Sequence, residues 1–160
     1  MEPLAYHLTW TTYGTWLPGD ARGWVESGVP GVQPPDTERE RLARQCMAES
    51  AVLLSLDQRE KVAETIQEHC RIRGWTLHAV NVRTNHAHVV VTCGCAGEKA
   101  CDEFKLWTSR RLSEMVGLTG AVARKAGRRR WWTEGGSVKS IDDERYLANA
   151  IDYVANGQGS

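Results

Sequence analysis

The sequence predicts an α+β fold, with one antiparallel sheet and helices packed on one of its faces. Three observations lead there. Alternating apolar and polar residues mark strands near the start and in the middle of the chain. Apolar residues three and four apart mark helices between and after them. The 160 residues, 41% hydrophobic and 25% charged, have the composition of a chain that folds around one core.

The first strand is expected over Leu4–Tyr13, with Tyr6, Leu8 and Trp10 on one face. Gly14 ends it. Residues 14–36 hold Trp16, Pro18, Gly19, Gly23, Trp24, Gly28, Pro30, Gly31, Pro34 and Pro35, which reads as a long loop insertion, and its aromatic residues favour a loop that packs on something. Residues 37–54 are helix-like, with Leu42, Cys46, Val52 and Leu53 as apolar positions. Asp57 and Glu60 have capping-box spacing for a helix running to about Arg73, whose buried stripe is Val62, Ile66 and Cys70. Gly74 stops it. Trp75 to Val82 alternates, placing Trp75, Leu77, Ala79 and Asn81 opposite Thr76, His78, Val80 and Val82. A turn around Arg83–Asn85 leads into a strand from His86 to Thr92, so the two form a hairpin. A helix is expected from Asp102 to Val116, turning Phe104, Trp107, Leu112 and Met115 to the core. Residues 117–130 read as a Gly- and Arg-rich connection, Trp131 to Lys139 as a short strand, and Asp143 to Asn156 as a last helix capped by Ser140 with Asp143. This order matches a ferredoxin-like sandwich with an insertion and an extra terminal helix, one domain over residues 1–160.

The charge pattern bears on the partner. Twenty Lys and Arg balance twenty Asp and Glu, so the formal net charge is zero. The charges are segregated: residues 104–140 carry nine basic and two acidic groups, between an acidic front and an acidic tail. A local field of that kind attracts a polyanion even when the total cancels. The five cysteines, Cys46, Cys70, Cys93, Cys95 and Cys101, are an odd, irregular set, which is no disulfide framework and fits a reducing cytoplasm. Cys93-Gly94-Cys95 with Cys101 lacks zinc-knuckle spacing. No run of the ~18 apolar residues of a membrane helix is present, no leader segment is expected, and no nucleotide-binding motif occurs.

Two features carry chemistry. In Asn85-His86-Ala87-His88, the two histidines are two apart on a strand and emerge from one face, while Ala87, Val89 and Val91 face the helices. Two imidazoles on one rigid face supply two ligands for a divalent metal, and a third must come from elsewhere. Tyr153 stands near the end of the last helix, with Tyr146 as its competitor.

Taken together, the chain resembles the single-tyrosine HUH transposases of the IS200/IS605 type, including the REP-associated tyrosine transposases. The resemblance rests on Asn85-His86-Ala87-His88, Asp152-Tyr153-Val154-Ala155-Asn156-Gly157-Gln158, the opening Tyr6-His7-Leu8-Thr9-Trp10, Phe104-Lys105-Leu106 and Trp131-Trp132. It spans nearly the whole chain apart from 14–36. It implies an endonuclease and strand transferase acting on single-stranded DNA, often at hairpin-forming element ends. By that resemblance the C-terminal helix carries the nucleophile: Tyr153 attacks a phosphodiester to give a 5′-phosphotyrosine link. His86 and His88 bind Mg²⁺ or Mn²⁺ with an amide ligand, either Gln158, five residues after the tyrosine, or Asn156, three after it. Insertion-sequence relatives place that amide four residues on, and REP-type relatives carry an Asn-Pro pair that this chain lacks. Lys105, Arg110, Arg111, Arg124, Lys125, Arg128, Arg129 and Arg130 are the expected phosphate contacts, with the indole of Trp131 stacking on an unpaired base. A homodimer is the arrangement of some relatives, and a non-catalytic hairpin-binding module of the same fold is the alternative function.

Overall fold

A computed structural model describes residues 2–24, 28–47, 51–118 and 130–156. The elements are β1 (Ala5–Thr11), α1 (Thr37–Gln45), α2 (Leu56–Arg73), β2 (Thr76–Val82), β3 (His86–Thr92), α3 (Gly97–Met115), β4 (Ser137–Ile141) and α4 (Glu144–Asn156). The strands form one open antiparallel sheet in the order β2-β3-β1-β4, the ferredoxin-like arrangement that the element order predicts.

The alternation of β1 sets the two faces. Leu8 and Trp10 pack with Ala87, Val89 and Val91 of β3 against Val62 and Ile66 of α2 and Phe104 and Leu112 of α3. Trp10 and Phe104 stack with ring centroids 6.2 Å apart. The other face is apolar only in part: Ala5, Val90 and Ile141 pack on Ala150 and Val154 of α4. So α2 and α3 share one face as expected, and the extra terminal helix lies on the opposite one.

Several boundaries differ from the sequence reading, each for a local reason. The helix expected over 37–54 ends at Gln45 and buries no residue. Val52 and Leu54 are buried while Leu53 between them is 68% exposed, a period of two. Their amides donate to the carbonyls of Tyr13 and Thr84, so the segment is extended and tied to the sheet's end. The capping box of α2 is Ser55 with Gln58, two residues before the Asp57–Glu60 pair, and Gly74 closes the helix at φ 71°. Helix α3 begins at Gly97, before Asp102. A Cβ there would lie 2.6 Å from Val138 and 2.7 Å from the Tyr6 ring, so the helix enters against the sheet only through glycine. Met115 is exposed at its far end, away from the core. In β2 the register shifts between Leu77 and Ala79. The bulge reverses the alternation: Leu77, Val80 and Val82 share the helix-covered core, and Ala79 packs towards α4. The last strand covers Ser137–Ile141, with Trp132 bridged to Thr12, and Asp143 caps α4 by accepting from the Tyr146 amide at 2.7 Å while Ser140 stays in β4.

The described part of the 14–36 loop is packed and internally bonded. The Trp24 indole is buried and donates to Pro34 O at 2.9 Å, the Trp16 indole donates to Gly23 O at 2.6 Å, and Trp24 and Gln33 pair through their backbones.

Candidate active site

The site lies on the α4 face of the sheet. Because Leu8, Trp10, Ala87 and Val89 point into the other face, the residues between them, His7, Thr9, His86 and His88, point into this one. Register brings them together: Thr9 is the cross-strand partner of His88, and Thr11 that of His86. The two imidazole centroids are 4.8 Å apart and nearly perpendicular.

Each histidine is held through its Nδ1. His86 Nδ1–H donates to Asn85 Oδ1 at 2.7 Å, which places the proton on Nδ1 and the lone pair on Nε2. His88 Nδ1 is bonded to Thr9 Oγ1 at 3.0 Å and to His7 Nε2 at 3.1 Å. His88 is 8% exposed. Burial first, then the nearby His86, His7 and Arg83, lower its pKa to about 4. Burial, with Lys139 adding to it, also lowers that of His7. An imidazole that carries its proton on Nδ1, as His86 does, presents its Nε2 lone pair, as a metal ligand must. The two imidazoles fit a divalent cation chemically, His88 serving as a ligand in the tautomer whose Nδ1–H donates to Thr9 or His7. No group of three or more His, Cys, Asp or Glu residues placed to hold one ion occurs among the described residues. Of the two amides proposed as third ligand, Gln158 lies outside the described residues, and Asn156 is exposed with its amide nitrogen donating to Asp152 Oδ1 at 3.2 Å.

Tyr153 comes from α4. Val154 and Ala150 are buried beneath the helix, which sets Tyr153 at the edge of that contact, 48% exposed. Its ring lies 5.9 Å from that of His88 and 6.1 Å from that of His7. The helix is anchored there by Asn81 of β2, whose side-chain amide donates to Val154 O at 3.0 Å. Tyr146 is exposed two turns earlier. The arrangement joins an accessible phenol to the imidazoles of His88 and His7 on a rigid sheet. Sequence reasoning gave His7 and Thr9 no role; the signal was there in the β1 alternation, but the β1–β3 register that puts them beside His88 is not a sequence property.

The expected phosphate contacts are dispersed. Trp131 is 3% exposed, and its indole donates to Ser113 Oγ at 2.9 Å, so it is a core residue and not a stacking surface. Lys105 directs its ammonium to the carbonyls of Thr133 and Gly135, both at 2.7 Å, fixing the approach to β4 and using two of its three N–H donors. Arg110 lies over the Trp107 ring at 4.8 Å and Arg111 pairs with Glu114 at 3.0 Å, both on α3 and so across the sheet from the histidines. Arg130 is exposed, 5.9 Å from the Tyr13 ring centroid. Arg124, Lys125, Arg128 and Arg129 lie outside the described residues. No helix among the described residues is long and apolar enough to cross a membrane.

Two solved structures share the fold. A protein from Deinococcus radiodurans assigned as a transposase aligns over 100% of this chain and 95% of its own, at 15% identity and a TM-score of 0.53. A REP-associated tyrosine transposase bound to a REP hairpin aligns over 96% of this chain at 12% identity and a TM-score of 0.52, and this chain spans 66% of its length. No curated protein matches the sequence. The model of the family "Transposase IS200 like" matches residues 46–157, which include the histidine pair and the tyrosine helix. The chain thus belongs to the IS200-like transposase family.

Proposed function

We propose that the chain is a single-stranded DNA endonuclease and strand transferase whose nucleophile is Tyr153. The observation that carries this reading is the half-exposed Tyr153 ring set 5.9 Å from His88, on the face where β1 and β3 present their polar residues. The phenolic oxygen loses its proton and attacks phosphorus, the P–O3′ bond breaks, and the departing oxygen takes up a proton as a 3′-OH. A 5′-phosphotyrosine remains. A 3′-OH attacking the same phosphorus reverses the chemistry, releases Tyr153 and joins strands without a nucleotide cofactor, because the ester energy is kept in the link.

His86 and His88, with Gln158 or Asn156, would hold Mg²⁺ or Mn²⁺, which when bound draws charge from the phosphoryl oxygen. The chain's own residues do the positioning. Asn85 fixes His86, Thr9 and His7 fix His88, and Asn81 fixes the turn of α4 that carries the phenol. Because Tyr153 lies beside the histidines of its own chain, one chain supplies nucleophile and histidines, and residues 1–160 act as one catalytic unit. Hairpin-bearing DNA is the proposed substrate, a reading supported by the likeness in fold to a REP-associated tyrosine transposase bound to a REP hairpin. Arg124, Lys125, Arg128, Arg129 and Arg130, with Arg110 and Arg111, would contact phosphates of the hairpin.

The test is incubation with hairpin-bearing single-stranded DNA and Mg²⁺ or Mn²⁺. A protein–DNA adduct that survives denaturation is expected, absent in Tyr153→Phe. Tight hairpin binding with no adduct under either metal would make the chain a binding module instead.

A further inference from the structure

The α4 helix covers only part of its face of the sheet. Its contacts run to β2 and β3 through Ala79, Val90 and Asn81, and reach β1 at Ala5 and at His7, whose ring lies 6.1 Å from that of Tyr153, and β4 at Ile141. Over the rest of β1 and β4 the face stays open, and its residues follow from register. Thr9 is paired with Ser137 and His7 with Lys139, and directly opposed residues of an antiparallel pair share a face. The parity agrees from both sides: Val138 packs in the helix-covered core, whereas Ile141 packs towards α4. One row across the sheet is thus Ser137, Thr9, His88 and Asn81, and the next is Lys139, His7, Val90 and Ala79. Ser137 and Lys139 are exposed. Lys139 is close enough to act electrostatically on His7, which itself touches His88.

A strand entering this site meets a wall on one side, the α4 helix, and an open polar strip on the other. The cations that α3 contributes stand on the far side of the sheet, and Lys105 is already committed to two carbonyls. We propose that the single-stranded substrate crosses the open half of the sheet over β1 and β4, and that Lys139, with the Ser137 hydroxyl beside it, binds a backbone phosphate flanking the scissile one. This inference rests on the Tyr153 reading for which phosphate is scissile. The ligand chemistry is a phosphodiester with no base readout, since a lone ammonium and a hydroxyl at that spacing recognise charge and not sequence.

The test reads binding apart from chemistry. In the Tyr153→Phe background, affinity for a single-stranded oligonucleotide is measured by fluorescence anisotropy over a range of salt concentrations. Lys139→Ala should reduce the slope of log affinity against log salt by about 0.7, the value of one single-strand phosphate contact. Lys139→Arg should restore it, and Arg71→Ala on the outer side of α2 should leave it unchanged. A neutral methylphosphonate at one of the two flanking positions should weaken binding with Lys139 present and cause no further loss in Lys139→Ala. An unchanged slope in Lys139→Ala, or equal losses from the methylphosphonate with and without the lysine, overturns the proposal. Adduct formation by the unaltered chain is scored separately, so a missing adduct counts against Tyr153 and an unchanged slope against Lys139.

Discussion

The two faces of the sheet are built from alternate residues of the same strands, yet they do opposite work. On the α2–α3 face, Leu8, Trp10, Ala87, Val89 and Val91 are sealed by Phe104, Ile66 and Leu112, and every one of these is almost fully buried. On the other face, the neighbours of those residues are His7, Thr9, His86 and His88, covered only in part by α4. The first face gives the sheet its stability. The second spends little area on stability and holds its polar groups at fixed spacing because the first face does not move. A period-two strand is an economical way to do both, since each step along β3 alternates between an anchor and a working residue.

That division predicts which changes separate folding from chemistry. The largest effect on chemistry without loss of fold is expected in His88→Ala, which should nearly abolish adduct formation. Mixing it with Tyr153→Phe should restore nothing if, as proposed, each chain uses its own tyrosine; recovery of activity in the mixture, read by adduct yield, would transfer the tyrosine to a partner's site. The converse case is Phe104→Ala, expected to cost about 3–5 kcal/mol in denaturant unfolding. It should impair adduct formation only as far as the chain unfolds.

A smaller effect is expected at His7. His7→Phe removes a partner of His88 Nδ1 without removing a ligand, and should weaken Mn²⁺ binding by about 10–100-fold with little change in melting temperature. The smallest is a pH effect on the metal-free protein. The folded pKa of His88 is lowered to about 4, against 6.5 for an exposed imidazole. Between those values the unfolded chain binds the proton and the folded chain does not, so stability is full above 6.5 and falls as pH drops towards 4. Melting temperatures across that window should flatten in His88→Asn. An unchanged pH dependence would mean that His88 is less buried than the closed contact with Thr9 and His7 implies.

The sequence made one face legible and the other only in part. The β1 alternation, the α2 stripe of Val62, Ile66 and Cys70, and the outward pair His86 and His88 all follow from periodicity, because burial imposes the period. Tyr153 did not follow from periodicity at all; its position on an amphipathic helix is equally that of a packing residue, and family resemblance singled it out. Features set by long-range pairing escaped: the place of His7 and Thr9 beside His88, the Lys139–His7 row, and the commitment of Lys105 to Thr133 and Gly135. Aromatic and basic composition misled at Trp131, since a tryptophan next to arginines suits a base-stacking plate and a core anchor equally, and only burial separates them. The early end of α1 was hidden because Val52 and Leu53 suit either a helical or an extended pattern until Leu54 is seen buried and Leu53 exposed.

The most direct test of the account is to locate the covalent link. After reaction with hairpin DNA and Mn²⁺, nuclease trimming and proteolysis, mass spectrometry of the peptide spanning α4 should find a nucleotide attached through phosphate to Tyr153. Attachment at Tyr146, or at any residue away from the His86–His88 face, would contradict it.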